Sequence, residues 1–170
     1  MNDSSARSQV PGTATVASQI ADLIERDRIH ARLTELFVAT DAKQWDRVVR
    51  CFAPVVAFDM SSVGAGPPAP TRAVEIIAGW RAALDPIEAV HHQAGNYVIR
   101  VSGTHAEASC YGIAYHHRAH RDGRSTQVFV GSYDFGLEQV ENAGDTDWQI
   151  TMMRFTLKFM DTTPSRESAE

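Results

Sequence analysis

One carboxylate and two imidazoles are the side chains whose types and positions in this sequence best suit chemistry. Asp41 ends a predicted helix, and His92 and His116 each lie at or near an end of a predicted strand. Brought to one pocket, the three groups would form a general acid–base set, which moves protons on a small molecule. The sequence therefore predicts Asp41, His92 and His116 as catalytic residues and predicts no cofactor.

Each candidate also has a plainer structural interpretation. Asp41 could be a solvated carboxylate at a helix C-terminus, where the helix dipole disfavours negative charge and burial would disfavour it further. A nearby imidazolium would offset both effects. His92 alone on an apolar strand face would more often be a core residue. Strand alternation places Asn96 on the same face unless a bulge intervenes, and this second polar group favours a substrate pocket.

Three histidines, His116, His117 and His120, lie close together at the end of one predicted strand. Imidazole is a common zinc ligand. On a strand, however, residues four apart are separated by about 13 Å, which is too far for one ion. The spacing therefore predicts no metal site. It leaves open whether His116 or a neighbouring histidine faces the pocket.

The predicted strand over 106–120 has one face of small side chains and one of large side chains. The large face carries Tyr111, Ile113 and Tyr115 and could be an oligomer interface, for which a homodimer is the default. The small face could form one wall of a pocket, or a helix could pack closely against it. Its members are Ala106, Ala108, Cys110, Gly112 and Ala114. Cys110 is thus a predicted pocket residue, better read as a buried thiol than as a nucleophile.

Three more side chains are predicted to bind substrate. Met60 and Met152 suit the irregular apolar lining of a pocket. Arg154 shares an alternate-residue face with Met152, where it could neutralise an anionic substrate or form a salt bridge at the rim.

The elements that must position these residues are helices followed by strands. Periodicity and turn residues predict helices over 17–40, 45–52 and from Thr71 to before Pro86, and strands over 55–60, 90–101, 106–120, 127–140 and 148–160, with a loop over 61–70. This order, helices first and then an antiparallel meander, predicts an α+β fold in which one curved sheet wraps around three N-terminal helices. The domain is expected over 17–160, between disordered tails at 1–16 and 161–170.

Length and composition exclude several classes of protein. The chain has 170 residues, 44% of them hydrophobic, and a net charge of -5, which fits one globular domain and argues against a nucleic-acid partner. No apolar run approaches the roughly 18–20 residues of a membrane span, and residues 1–12 lack the apolar core of a signal peptide. Cys51 and Cys110 fit no metal-ligand spacing. A cytoplasmic protein with reduced thiols is the expectation.

Four motifs resemble a known group of proteins. The run from Asp41 to Pro54, D-x-x-x-W-D-R-V/L-x-x-C-x-A-P, resembles the opening of scytalone dehydratase. The shorter motifs are similar to the wider SnoaL-like group; they are H-H-x-x-G-N at 91–96, Y-x-x-A-x-H at 111–116 and G-x-Y-D at 131–134. Both groups belong to the superfamily named after nuclear transport factor two.

The resemblance implies a cone-shaped fold with a pocket at one end. It implies an aspartate paired with one histidine, matched here by Asp41 and His92, and a second histidine near the substrate, matched by His116. Thr40 and Met60 stand where scytalone dehydratase has tyrosines that polarise the substrate carbonyl. Both are therefore expected to bind substrate, but scytalone is not the expected substrate. Tyr133 is a candidate for the missing hydroxyl.

These observations favour a lyase or isomerase, with dehydration beside a carbonyl as the first hypothesis. In that hypothesis His116 is the base, oriented by Asp41, and His92 is the acid or the donor to the carbonyl. The alternative is a SnoaL-like protein that binds a small molecule without catalysis.

Overall fold

The computed structural model describes residues 15–120, 123–142 and 145–163, which form an α+β fold as predicted. The helices are α1 (Val16–Asp41), α2 (Trp45–Arg50) and α3 (Ala73–Leu84). The strands are β1 (Phe52–Asp59), β2 (Ala69–Arg72), β3 (Ala89–Ser102), β4 (His105–His120), β5 (Gly123–Asn142) and β6 (Asp145–Thr163). A short 3-10 helix, Ser61–Val63, lies between β1 and β2.

The ordered elements extend slightly past the predicted domain limits of 17 and 160. Helix α1 begins at Val16 and β6 ends at Thr163. The rest of the two predicted tails, residues 1–14 and 164–170, lies outside the described residues.

The six strands form one curved, mixed sheet in the order β2-β1-β6-β5-β4-β3. Strands β3 to β6 are the predicted antiparallel meander. Strand β1 pairs with β6 in parallel, because the chain crosses from β1 through α3 before it enters the meander. This arrangement leaves β3 at one edge of the sheet, where α1 contacts it.

Helix α1 supplies one side of the core. The Thr15 hydroxyl accepts a hydrogen bond from the Ser18 N–H and caps the helix. Its apolar stripe is buried, with Ile29, Leu33, Leu36 and Phe37 facing the sheet. Burial of each such side chain contributes about 1.5–3 kcal/mol.

The predicted loop over 61–70 contains the beginning of a strand. Strand β2 pairs with β1, with Val55 opposite Arg72. Pro70 lacks an N–H, but an edge strand tolerates this residue. The third helix begins at Ala73 and not at Thr71, because Thr71 belongs to β2 and Arg72 occupies the N-cap. The Thr71 hydroxyl donates to the carbonyl of Ala69.

The small-residue face of β4 is buried, and the face with Tyr111 points outward as expected. Both interpretations of the small face hold, each at one end of the strand. Ala106 and Ala108 are packed in the core, whereas Ala114 lines a cavity.

Candidate active site

A cavity of about 540 Å³ lies between the helices and the inner face of the sheet. Its volume is in the range that accommodates small molecules. The walls are mostly apolar, and the aromatic members are Phe37, Phe58, Trp80, Phe129, Tyr133 and Phe155. The polar members are few: Thr40, Thr71, Glu75, His92, His116 and Tyr133.

Asp41 and His92 are in direct contact. The distance between Asp41 Oδ1 and His92 Nδ1 is 2.6 Å, and Asp41 Oδ2 accepts the backbone N–H of His92 at 2.8 Å. The side chains are only 19% and 13% exposed. Because α1 ends beside the edge strand β3, its last residue, Asp41, meets both His91 and His92 on that strand. His91 Nδ1 lies 3.6 Å from Asp41 Oδ2.

This contact determines which nitrogen of His92 is available. An ionised carboxylate only accepts hydrogen bonds, so the proton of a neutral imidazole is held on Nδ1. The other nitrogen, Nε2, is then free to accept a proton. The ring of Phe37 stacks on the ring of His92 at 5.4 Å between centroids and limits its rotation.

His116 lies beside His92 on the neighbouring strand and lines the same cavity. His92 is opposite Ala114, and His116 is opposite Val90, so the two histidines are diagonal neighbours. Diagonal pairs are separated by roughly 7–8 Å. His117 faces away from them and its Nδ1 lies 2.8 Å from the Thr126 hydroxyl. The histidine of the strand end that faces the cavity is therefore His116.

The environment of His116 keeps its imidazole neutral. Burial is the largest of the causes that lower the pKa of His116 to about 4, and the positive charges of a protonated His92 and of Arg118 act in the same direction. Among the described residues, no hydrogen bond holds its ring, which packs 4.9 Å from Phe129. The expectation that Asp41 orients His116 is wrong, because the carboxylate makes its hydrogen bonds to His92.

Thr40, Met60 and Tyr133, three of the predicted substrate-binding residues, line the cavity. The Thr40 hydroxyl donates to the carbonyl of Leu36, one helical turn earlier. The ring of Tyr133 lies between Phe37 and Phe155, at 5.1 Å and 4.6 Å. Burial raises the pKa of Tyr133, so its hydroxyl remains protonated.

A bulge in β3 moves Asn96 out of the predicted site. Gly95 is opposite Tyr111 and Val98 is opposite Ser109, so β3 has one residue more than β4 in this interval. Asn96 takes a positive φ of 57° and is exposed. The next residue, Tyr97, turns inward in its place and packs against the core.

Cys110 is buried but does not line the cavity. Burial is the main cause that raises the pKa of its thiol to about 12. The thiol is therefore protonated at neutral pH, as the interpretation of a buried, unreactive cysteine predicts.

A second bulge, in β6, places Met152 and Arg154 outside the predicted substrate pocket. Ile150 is opposite Leu137 but Met152 is opposite Gly136, so Thr151 is an extra residue that reverses the alternation. Met153 and Phe155 consequently face the cavity. The guanidinium of Arg154 lies 3.7 Å from Asp59, outside the cavity lining, as the salt-bridge alternative expected.

The sequence analysis did not identify several aromatic residues that line the cavity. Phe58 shares a strand face with the buried Val56, and Phe129 shares one with Tyr133, so alternation could have found both. Phe155 could not be found in this way, because the bulge at Thr151 precedes it.

Within the described ranges, no group of three His, Cys, Asp or Glu side chains is placed to hold a metal ion. None of the helices among these residues is both long and apolar enough to cross a membrane.

A family model described as a SnoaL-like domain matches residues 21–154. A search of curated proteins gives no match. Among solved structures, a protein from Kribbella flavida has 21% identity and a TM-score of 0.70, with 86% of this chain and 95% of that chain covered.

Two further structures carry names that describe a reaction. A candidate scytalone dehydratase from Novosphingobium aromaticivorans is 15% identical, with a TM-score of 0.69 over 88% of this chain and 94% of that chain. A hexachlorocyclohexane dehydrochlorinase of type 3 from Novosphingobium barchaimii is 12% identical, with a TM-score of 0.66 over 89% and 99%. At these identities the similarity shows a shared fold.

Proposed function

The chain belongs to the SnoaL-like family, and from that premise we propose that it is a cofactor-independent lyase of the dehydratase type. The observation that carries the proposal is the pair of contacts by which Asp41 fixes His92 at the wall of an apolar cavity. Two proteins of similar fold are named for the elimination of water or of hydrogen chloride, which supports an elimination.

We assign the base to His92 and give His116 a different role from the one expected from the sequence. A base that works near neutral pH must hold a lone pair there and accept a proton readily. The contact with Asp41 leaves His92 Nε2 available to accept a proton, whereas the depressed pKa of His116 makes it a weak base. His116 acts instead as a neutral hydrogen-bond partner for the departing hydroxyl.

The proposed reaction is a dehydration of a β-hydroxy carbonyl compound. His92 Nε2 takes the proton from the carbon between the carbonyl and the hydroxyl-bearing carbon. The electrons of that C–H bond give an enolate, which re-forms the carbonyl and the new C=C bond as the C–O bond breaks. The proton held on His92 is transferred to the leaving hydroxide, which departs as water. Asp41 stabilises the imidazolium that exists between the two transfers.

The lining indicates a small, largely apolar, uncharged substrate. Among the described residues, no Lys or Arg side chain lines the cavity, and the carboxylate of Glu75 is the charged group found there. Glu75 is exposed and lies 4.0 Å from Arg72. An anionic substrate would find no cationic partner in this lining, whereas an aryl ketone would contact its aromatic walls.

Proton removal can be tested without knowledge of the natural substrate. The probe is alpha-tetralone, an aryl ketone whose acidic C–H exchanges with heavy water when a base removes the proton. We expect the protein to accelerate deuterium uptake, measured by NMR, and His92→Gln to abolish the acceleration. His105→Gln, which changes an exposed histidine at the β3–β4 turn, is the matched control.

The same measurement separates the enzyme from the second candidate, a binding protein. Binding of the ketone is followed through the fluorescence of Trp80, which lines the cavity. If alpha-tetralone binds to the wild type and no acceleration of exchange is observed, the lyase proposal is wrong and the cavity is a binding pocket.

A further inference from the structure

We propose that Tyr133 donates a hydrogen bond to the carbonyl oxygen of the substrate, and that the substrate therefore enters with its carbonyl inward and its hydroxyl toward the opening. This inference rests on the proposed function and adds to it the orientation of the substrate. It also assigns a role to a hydroxyl that the acid–base steps do not use.

The first argument is that the Tyr133 hydroxyl lacks a partner. The residue is 5% exposed and lines the cavity. In the part of the chain that the structure describes, it makes ring contacts with Phe37, Phe135 and Phe155 but no hydrogen bond. A hydroxyl in a pocket wall that no protein group satisfies is available to a polar atom of a ligand. An oxygen atom of a ligand in the cavity would supply the missing partner.

The second argument is that the ring of Tyr133 leans along the sheet toward His92. Its backbone is opposite Cys110, yet its ring covers Gly112, where an added Cβ would lie 2.8 Å from Tyr133 Cδ2. Only glycine leaves room for the ring at this position. Phe37 contacts both Tyr133 and His92, so the two polar side chains adjoin the same aromatic ring.

The third argument is the order of the polar groups along β4. The Tyr133 ring lies over residue 112, His92 is opposite residue 114, and His116 follows. Burial decreases in the same direction, because Tyr133 and Ala114 are buried whereas His116 and Phe129 are partly exposed. The order from the inside outward is thus a hydrogen-bond donor, a base and a partner for a leaving group.

This order matches the order of the reacting groups in a β-hydroxy ketone. Such a molecule carries a carbonyl oxygen, then an acidic C–H, then the hydroxyl that leaves. A neutral donor at the carbonyl oxygen stabilises the enolate as negative charge develops there. The protonated state of Tyr133, which burial favours, suits this role.

The test uses the infrared carbonyl stretch of alpha-tetralone labelled with carbon-thirteen at the carbonyl. A hydrogen bond lowers the frequency of this stretch. We expect a lowered frequency with the wild type and with His116→Gln, and a return to the value found in an apolar solvent with Tyr133→Phe. An unchanged frequency in Tyr133→Phe would overturn the proposal, as would the failure of the wild type to bind the ketone.

A second variant tests the positioning of Tyr133 without removing its hydroxyl. Gly112→Ala should displace the ring and give a frequency close to that of Tyr133→Phe. The control is Gly95→Ala, because nothing lies within 4 Å of the Cβ added there. If Gly112→Ala binds the ketone with the wild-type frequency, the proposed position of the Tyr133 hydroxyl is wrong.

The two experiments fail independently. A carbonyl shift that depends on Tyr133, found together with no deuterium exchange, would contradict the proposed lyase activity. It would still support Tyr133 as a hydrogen-bond donor in a binding pocket. Deuterium exchange that depends on His92, found with no carbonyl shift that depends on Tyr133, would support His92 as the base and contradict Tyr133 as the hydrogen-bond donor.

Discussion

The carboxylate of Asp41 accepts two hydrogen bonds from one residue, the backbone N–H and the ring Nδ1 of His92. The first holds the strand against the end of α1, and the second fixes the tautomer and orientation of the ring. An amide in place of the carboxylate could still accept the backbone N–H, but it would carry no charge to stabilise an imidazolium. Structure and catalysis can therefore be separated by a single substitution at this residue.

Asp41→Asn is expected to reduce the rate of deuterium exchange into alpha-tetralone by roughly 100-fold or more, with the affinity for the ketone little changed. NMR gives the rate and Trp80 fluorescence gives the affinity. Asp22→Asn is the matched control, because it makes the same change on the surface of the same helix. Equal rates for Asp41→Asn and the wild type would contradict the assignment of an Asp41–His92 base.

His116 is expected to titrate far below the reference pKa of 6.5, at about 4. Between these values the unfolded chain binds a proton that the folded chain does not, so the contribution of His116 to folding falls as the pH decreases from about 6.5 to 4. Ring NMR signals measure the pKa directly. Urea unfolding at each pH should show a smaller loss of stability for His116→Gln than for the wild type.

His105→Gln is the control for this pH dependence, since His105 is exposed beside the β3–β4 turn and does not line the cavity. This variant should show a pH dependence of the free energy of unfolding close to that of the wild type. A normal pKa for His116, with the same pH dependence in His116→Gln and the wild type, would show that the ring is solvated.

At the scale of the elements, two bulges decide which side chains reach the cavity. Periodicity alone predicted the α+β class, the meander and the small face of β4, because these follow from repeated patterns over many residues. The same alternation failed beyond Gly95 and beyond Ile150, where one extra residue reverses the face. Alternation therefore predicts Met152 and Arg154 as pocket residues, whereas Met153 and Phe155 line the cavity. Contacts between elements, such as Asp41 with His92, needed the folded chain or a related family.

The bulge in β3 depends on the residue at position 96. Asn96 has a φ of 57°, a conformation that glycine and asparagine adopt readily and that β-branched residues avoid. We expect Asn96→Val to lower the free energy of unfolding by about 1–2 kcal/mol, whereas Asn96→Gly should cost little. Urea unfolding measures both.

The Asn96 pair also tests whether the bulge positions Tyr97. If Asn96→Val folds without the bulge, Tyr97 should turn outward and leave the neighbouring thiol of Cys110 more accessible. Cys110 would then react faster with a thiol reagent than it does in Asn96→Gly. Equal stabilities for Asn96→Val and Asn96→Gly would show that the positive φ is not required.

At the scale of the whole molecule, the end of the sheet away from the cavity is closed by polar contacts. Arg32 forms an ion pair with Asp147, and the indole N–H of Trp148 donates to Glu25. These contacts connect α1 to β6 and cover the core at that end.

The outer face of β4 has no such cover within the described chain. Tyr111 is 55% exposed there, with Lys158 Nζ 3.9 Å from its ring centre.

We expect this outer face, with Tyr111, Ile113 and Tyr115, to form the interface of a homodimer. Aromatic and β-branched side chains at the centre of such a face would be buried by a second copy related by a twofold axis. Tyr111→Arg would place a cation beside Lys158 and beside its symmetry-related copy, so it should convert the dimer to a monomer. Val74→Arg is the matched control, because Val74 is 53% exposed on α3. Sedimentation equilibrium gives the mass; a wild-type monomer, or a dimer that persists in Tyr111→Arg, would contradict this interface.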